Sequence, residues 1–339
     1  MEPILNDRLK EALSREGQVR HWAVLEETRT VTSTICKLRV SFEDAEKVFY
    51  LKKYESPAES PAVLEAGRNE FETLSKLYPR FSGRKDFRVI RPVTFIPEDR
   101  ILVTEAFEGR GLNDLILGGL RAWFSDADLN RLKENLRSAG RWLAFFQSEA
   151  TENHSVILDG GAFLKQAEDM LRVLRRLGLE TPVCSAAIKR VGEGLAHVKG
   201  EKIRRVGCHN DFTPQNILVG KDIIAVTDFA RFSSDSNYED PALFIVALEG
   251  YKSIVGVPES RVEGLKAAFL EGYGAGGVSR SLLHLYILKN VIKVLTWIGP
   301  DFSGDAGFLS GLVRKSRKKR RLRVYFHYLD RLNCLPSVI

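Results

Sequence analysis

The stretch His209-Asn210-Asp211-Phe212-Thr213-Pro214-Gln215-Asn216 is followed, twelve residues after Asn216, by Asp228-Phe229. Between them lie two short β-prone runs, Ile217-Leu218-Val219 and Ile223-Ile224-Ala225-Val226, separated by the turn-forming Gly220-Lys221-Asp222. This order predicts a hairpin that carries Asn216 and Asp228 side by side. Two carboxylates and a carboxamide then gather at one loop, a set that offers hard oxygen ligands for a magnesium ion and an acceptor for a proton. A reading in which these residues only shape turns leaves the coincidence of residue types and spacing without a cause. His209 is expected to pack and hold the loop. Cys208 has no base pattern beside it and reads as a small buried residue.

These residues resemble the kinase pattern H-x-D-x-x-x-x-N followed by D-F-G, with Ala230 in place of the last glycine. They are more closely similar to the aminoglycoside phosphotransferase and choline kinase-like superfamily. The resemblance implies an α+β, bilobal protein-kinase-like fold, with an antiparallel-sheet first lobe over residues 1–106 and a mainly helical second lobe over residues 107–339. It further implies ATP and Mg2+ as cofactors, with Asp211 at the attacking hydroxyl and Asn216 and Asp228 on the metal.

The first lobe offers the remaining parts of such a site. Val48-Phe49-Tyr50-Leu51-Lys52-Lys53 reads as a strand comparable with V-A-I-K. Strand alternation puts Lys52 on the face of Tyr50, which makes Lys52 the match and Lys53 the alternative. As plain edge-strand lysines the pair would deter aggregation. Residues 61–78 place Val63, Leu64, Phe71, Leu74 and Leu77 on one helical face. Glu70 of this helix stands where the family has the glutamate that orients the lysine, with Glu65 and Glu72 as competitors. Residues 4–13 have helical spacing and read as a lid over the lobe. Strands over residues 19–25 and 31–40, joined by a polar linker at 26–30, would cover the nucleotide phosphates. Residues 26–40 contain no glycine, so Thr30, Thr32, Ser33 and Thr34 would serve with their hydroxyls, Ser33 and Thr34 foremost. Residues 100–110 read as the last strand and a hinge. There the backbone from Glu105 to Phe107 would meet the adenine edge, and Gly109 lets the chain turn.

Helices are expected over residues 112–117 and 129–148, the second resembling the helix that supports the catalytic loop in the family. Asp240-Pro241 resembles the family's G-D-P segment, with Glu239 for Gly and Phe244 where a second Asp is common. Asp240 is therefore expected to brace the loop. Asp240 follows Asp228 by twelve residues, too few for a peptide-docking activation segment, which favours a small or membrane-borne acceptor over a protein.

Other function classes find little support. Gly272-Tyr273-Gly274-Ala275-Gly276-Gly277 satisfies G-x-G-x-x-G, but it follows a helical run and reads as a helix end. The four cysteines show no C-x-x-C spacing and suggest neither a disulfide framework nor a zinc site. The first residues lack a secretory pattern, which points to the cytoplasm. Residues 282–298 are apolar but interrupted by His284, Lys289, Asn290 and Lys293, as in a buried helix.

The net charge of +7 is concentrated, since residues 314–323 hold eight Lys or Arg and no acid. The rest of the chain is close to neutral. This run reads as a solvated helix face or as a device for an anionic surface. An anionic membrane at the inner leaflet or a phosphorylated glycan is favoured over nucleic acid, because no nucleic-acid module accompanies the run. The resemblance, including some likeness to lipopolysaccharide-core sugar kinases, implies phosphorylation of an alcohol. A sugar, glycan or glycolipid hydroxyl comes first, an aminoglycoside or amino alcohol second, and a catalytically silent nucleotide-binding scaffold third.

Overall fold

Alternating apolar residues build the first sheet. Val40, Phe49, Leu51 and Val103 are at most 3% exposed, while their sequence neighbours point the other way. The computed structural model describes residues 5–30, 32–55, 61–120, 125–149, 154–274, 276, 278–298 and 308–334. The chain divides into two compact units: Met1–Arg110 with Leu218–Phe232, and Gly111–Ile217 with Ser233–Ile339.

The first unit is built on a five-stranded antiparallel sheet in the order Val19–Arg29, Ser33–Phe42, Glu46–Tyr54, Ile101–Glu105, Pro92–Ile96. Leu9 and Leu13 of the helix Leu5–Leu13 enter the sheet's core beside Leu38, Val40 and Phe49, so this helix forms part of the core. The first hairpin is longer than the sequence pattern predicts. Glu26, Glu27, Thr28 and Arg29 remain in the strand because they pair with Lys37, Cys36, Ile35 and Thr34, which moves the turn beyond Arg29. The helix Pro61–Phe81 lies close to the sheet at Gly67, where a Cβ would sit 2.7 Å from the Phe95 ring. Buried Phe81 carries that helix past its expected end. The predicted hairpin forms as Ile217–Val219 and Ile224–Val226, closed by a Gly220 N–H to Ile223 O bond of 2.9 Å. Its second strand runs parallel to Phe87–Val89.

The second unit is helical around an aromatic core. Helix Asp126–Glu149 crosses helix Glu259–Tyr273 where both are smallest: a Cβ on Gly140 would lie 2.3 Å from Phe269 O, and one on Gly272 would lie 2.0 Å from Arg137 O. That backbone approach lets Trp142, Phe146, Phe212, Phe244 and Phe269 interlock, all of them fully buried. Gly274, with φ of 79°, ends the second of these helices, as the glycine-rich sequence there predicts; Ala275 and Gly277 lie outside the described residues. A small antiparallel sheet joins Ser233–Ser236, Lys202–Cys208 and His154–Ile157.

Helix Arg280–Ile298 is long and apolar enough to cross a membrane by length and composition alone. Its charges explain it otherwise. Lys289 and Lys293 reach Glu239, at the start of helix Glu239–Glu249, at 2.7 and 2.9 Å. Burial pushes the Glu239 carboxyl up, but the two ammonium groups outweigh it and hold the carboxyl down at about 2. The folded value lies below the ordinary 4.5, so the pair stabilises the fold above that pH and the contribution is lost as pH falls toward 2. Replacing Glu239 by Gln leaves a buried ammonium uncompensated and should cost roughly 3–5 kcal/mol near neutral pH. Urea unfolding at about pH 7 and about pH 3 should show a smaller loss at the acid value, where the unfolded chain's carboxyl is already protonated and the native one is not. An equal loss at both would contradict this assignment.

Candidate active site

The strand Glu46–Tyr54 is held on both sides, with Lys52 opposite Ile35 of one neighbour and Leu102 of the other. Its position is therefore fixed by the sheet. The Lys52 ammonium lies 2.9 Å from Glu70 Oε2 and 2.8 Å from Asp228 Oδ1. Tyr54, two residues on, donates its hydroxyl to the same Glu70 oxygen and lays its ring 4.9 Å from the ammonium. Lys53 and Glu65 make no such pair among the described residues, and Glu72 faces Lys76 at 3.9 Å. Burial acts against the charge on both partners: it pulls the Lys52 ammonium down and pushes the Glu70 carboxyl up. For Lys52 the attraction of Glu70 and Asp228 prevails, and its value ends well above the ordinary one.

Asp228 is held in the left-handed region at φ 66°, ψ 59°. That conformation costs a non-glycine residue about 1 kcal/mol or more and persists where the surroundings dictate it. The next side chain, Phe229, is fully buried, and Asn69 Nδ2 donates to Ala230 O at 3.1 Å. The helix that supplies Glu70 thus also anchors the turn that presents Asp228.

In the second unit the residues of the His209–Asn216 loop are held by the helices beneath it. Phe212 stacks on Trp142 at 5.7 Å and 13°, on the long helix that the sequence assigns to this task. Asp240 accepts the backbone N–H of His209 at 2.7 Å and of Asn210 at 2.8 Å. Burial pushes the Asp240 carboxyl up to about 7, and the two N–H groups pull it back. His209 accepts the Asp211 N–H on Nδ1 at 3.3 Å. Asn210 takes a left-handed φ of 60° and donates to Ser233 Oγ at 2.8 Å. Asn216 Nδ2 donates to the Asp211 carbonyl at 2.9 Å, which fixes the amide with Oδ1 as its acceptor end. This suits a hard cation, since Mg2+ takes a few protein oxygens and keeps waters or phosphate oxygens for the rest.

The other candidates occupy less open positions. Ser33 and Thr34 are at most 3% exposed. Ser33 Oγ lies 3.0 Å from Thr30 Oγ1, and Thr34 donates to Glu55 at 3.0 Å. Glu105 pairs with Arg91 at 3.0 Å, and its backbone N–H goes to Arg91 O. The Ala106 N–H goes to Val48 O. Phe107 is half-buried and crowds Gly109, where a Cβ would meet its ring at 2.6 Å. Sequence reading missed Tyr54 and Asn69. Strand alternation could have flagged Tyr54, which shares a face with Lys52, whereas the Asn69 tether to Ala230 has no local signal.

Beside Asp211 and Asn216 the second unit opens a cavity of about 1020 Å³. Trp297, Ile298 and Val294 form an apolar wall, and Arg317, Lys318, Arg320 and Arg321 also line it.

No family model matches the sequence, and no curated protein matches it. Solved structures do. A spectinomycin phosphotransferase in complex with ADP and spectinomycin superposes at TM-score 0.53 and 15% identity, over 99% of this chain and 97% of its own. The fold is like that of solved small-molecule phosphotransferases and kinases. A choline/ethanolamine kinase family protein from Mesorhizobium loti gives 0.52 at 14% identity, covering 98% and 96% of the two chains. A macrolide 2'-phosphotransferase from Brachybacterium faecium gives 0.50 at 18%, covering 95% and 98%. This phosphotransferase-like fold is the bilobal α+β architecture that the sequence motifs imply.

Asp240 offers a test of the loop's support. In Asp240→Asn an amide NH2 meets one of two backbone N–H donors, leaving a buried donor unsatisfied, so stability should fall by about 1–3 kcal/mol. Denaturant unfolding reads that loss, and an unchanged midpoint would show that the loop does not rely on this carboxylate.

Proposed function

We propose that the chain is an ATP- and Mg2+-dependent phosphotransferase that acts on a hydroxyl of a small molecule. The observation that carries the reading is the Lys52 ammonium held between Glu70 and Asp228 at 2.9 and 2.8 Å. A cation fixed in this way, next to an exposed-side carboxylate, matches the chemistry of a nucleotide's phosphates and their metal. The printed names of structures with this fold point the same way, since one is complexed with ADP and spectinomycin and another, an amicoumacin kinase, with AMP-PNP and Ca2+.

In this mechanism Lys52 neutralises phosphate charge and Glu70, with Tyr54, positions it. Asn216 and Asp228 would hold Mg2+, which when bound offsets the charge of the transferred group. Asp211 orients the acceptor hydroxyl and takes its proton as the oxygen attacks. The backbone from Glu105 to Phe107 would meet the adenine, and Ser33 and Thr34, at the start of their strand, would cover the phosphates. The acceptor is a sugar hydroxyl, free or on a glycan or glycolipid, and the enzyme works in the cytoplasm, with the inner membrane face as the place for a lipid-linked acceptor. An aminoglycoside or amino alcohol is the second reading, favoured by the names of the similar structures. A silent scaffold is disfavoured because Asp211, Asn216 and Asp228 are all present.

The purified protein should release ADP from ATP in the presence of Mg2+ and a hydroxyl acceptor drawn from sugars, glycolipids, amino alcohols and aminoglycosides. Asp211→Asn should lower the rate by about 10²–10⁴-fold. An unchanged rate in that variant would remove Asp211 from the chemistry.

A further inference from the structure

The basic run occupies helix Phe308–Cys334, and this helix is seated by its C-terminal half. Tyr325, Tyr328, Leu329 and Leu332 are at most 9% exposed. Tyr325 presses on Gly250, where a Cβ would lie 2.5 Å from its hydroxyl oxygen, so the small residue sets how closely the helix approaches. Arg321, Lys318 and Arg317 come four, seven and eight residues before Tyr325, spacings that keep them on its side of the helix, and Arg320 comes five before it on an adjoining flank. All four line the cavity that contains Asp211. Lys319 and Arg323 belong to the same run but are exposed and do not line it.

The lining is one-sided in charge. Among the described residues that line it, Asp211 is the only carboxylate. Among the described residues no carboxylate pairs with Arg317, Arg320 or Arg321, whereas Arg331 of the same helix has Glu249 at 2.8 Å. The Nε of Arg320 is buried with no hydrogen-bond partner among the described residues. Cations clustered in a concave site raise the local concentration of anions and repel cations. Guanidinium forks match the oxygens of a phosphate in a bidentate manner. Val294, Trp297 and Ile298 add apolar lining suited to a sugar ring, and about 1020 Å³ exceeds what one monosaccharide needs.

We propose that the acceptor already carries a phosphate before it is phosphorylated: an anionic sugar or glycan held through that phosphate by Arg317, Lys318, Arg320 and Arg321. This rests on the phosphotransferase reading given above. The acceptor hydroxyl oxygen forms a new bond to the γ-phosphorus of ATP as the bond from that phosphorus to the β,γ-bridging oxygen breaks. The hydroxyl proton passes to Asp211, and ADP leaves. The product carries one phosphate more than the acceptor. A soluble sugar phosphate and a phosphorylated glycolipid headgroup present the same chemistry, and both belong in the test. Cationic acceptors such as aminoglycosides are disfavoured by the same charges.

The test has a binding arm and a turnover arm. Calorimetric titration without nucleotide compares glucose, glucose 6-phosphate, a monophosphorylated disaccharide glycolipid in detergent micelles, and the dephosphorylated glycolipid. At least one phosphorylated probe should bind tenfold or more tightly than its neutral twin, with an advantage that shrinks as salt rises. Arg320→Gln/Arg321→Gln should abolish the preference. Arg317→Gln/Lys318→Gln repeats the test if the first pair does not fold. The charge-matched control Lys319→Gln/Arg323→Gln should keep the preference. Equal binding of each phosphorylated probe and its twin, or an equal loss in the control, would overturn the proposal. The ADP-release assay on the same probes separates it from the parent reading. Phosphate-selective binding without turnover would leave the anion site standing and remove the kinase. Turnover of neutral or cationic acceptors, undiminished by the arginine substitutions, would do the reverse.

Discussion

The first unit depends on one buried cation. Lys52 could not remain charged at 17% side-chain exposure without Glu70 and Asp228, and neither carboxylate would sit comfortably beside the other without Lys52. The three groups therefore fix one another, and each comes from a different element: the central strand, the long helix, and the turn after the second hairpin strand. Asn69 adds a tether from the helix to the turn, and Tyr54 donates to the same Glu70 oxygen that Lys52 meets. Such a cluster gains little stability over an apolar replacement of the same volume. Its value lies in fixing where charge stands.

The second unit follows a different economy. Its loop is carried by stacked aromatic rings and by one buried carboxylate, Asp240, that takes two backbone N–H groups. The rings exclude water beneath Phe212, and Asp240 sets the backbone so that Asp211 and Asn216 share a hydrogen bond through the Asp211 carbonyl. Glycine at 140 and 272 makes this possible by letting two helices approach at backbone distance.

Much of this was legible in the sequence, and the parts that were not have physical causes. The hairpin after Asn216 follows from two β-prone runs around a turn, and alternation separates Lys52 from Lys53; Glu70 and Asp240 stand out only through the family resemblance, and the structure pairs Lys52 with Glu70 at 2.9 Å and sets Asp240 against the N–H groups of His209 and Asn210. The first hairpin was misjudged because polar residues at 26–29 look like a loop, while cross-strand partners, among them the Lys37 ammonium 4.0 Å from Glu26, keep them extended. The basic run could be recognised but not located. Which of its side chains face a cavity depends on the contact of Tyr325 with Gly250, a pairing 75 residues apart that no local pattern announces. The hydroxyls of Ser33 and Thr34 were expected at phosphates, and their engagement with Thr30 and Glu55 depends equally on tertiary partners.

The central claim is that the Lys52, Glu70 and Asp228 cluster binds the nucleotide with its metal, while Asp211 serves only the acceptor. Calorimetric titration of ATP, with and without Mg2+, into the native protein, Asp228→Asn and Asp211→Asn tests this directly. The account predicts native-like, Mg2+-dependent affinity in Asp211→Asn and loss of the Mg2+-dependent part in Asp228→Asn. Equal affinities in all three proteins, or no Mg2+ dependence in the native chain, would contradict it.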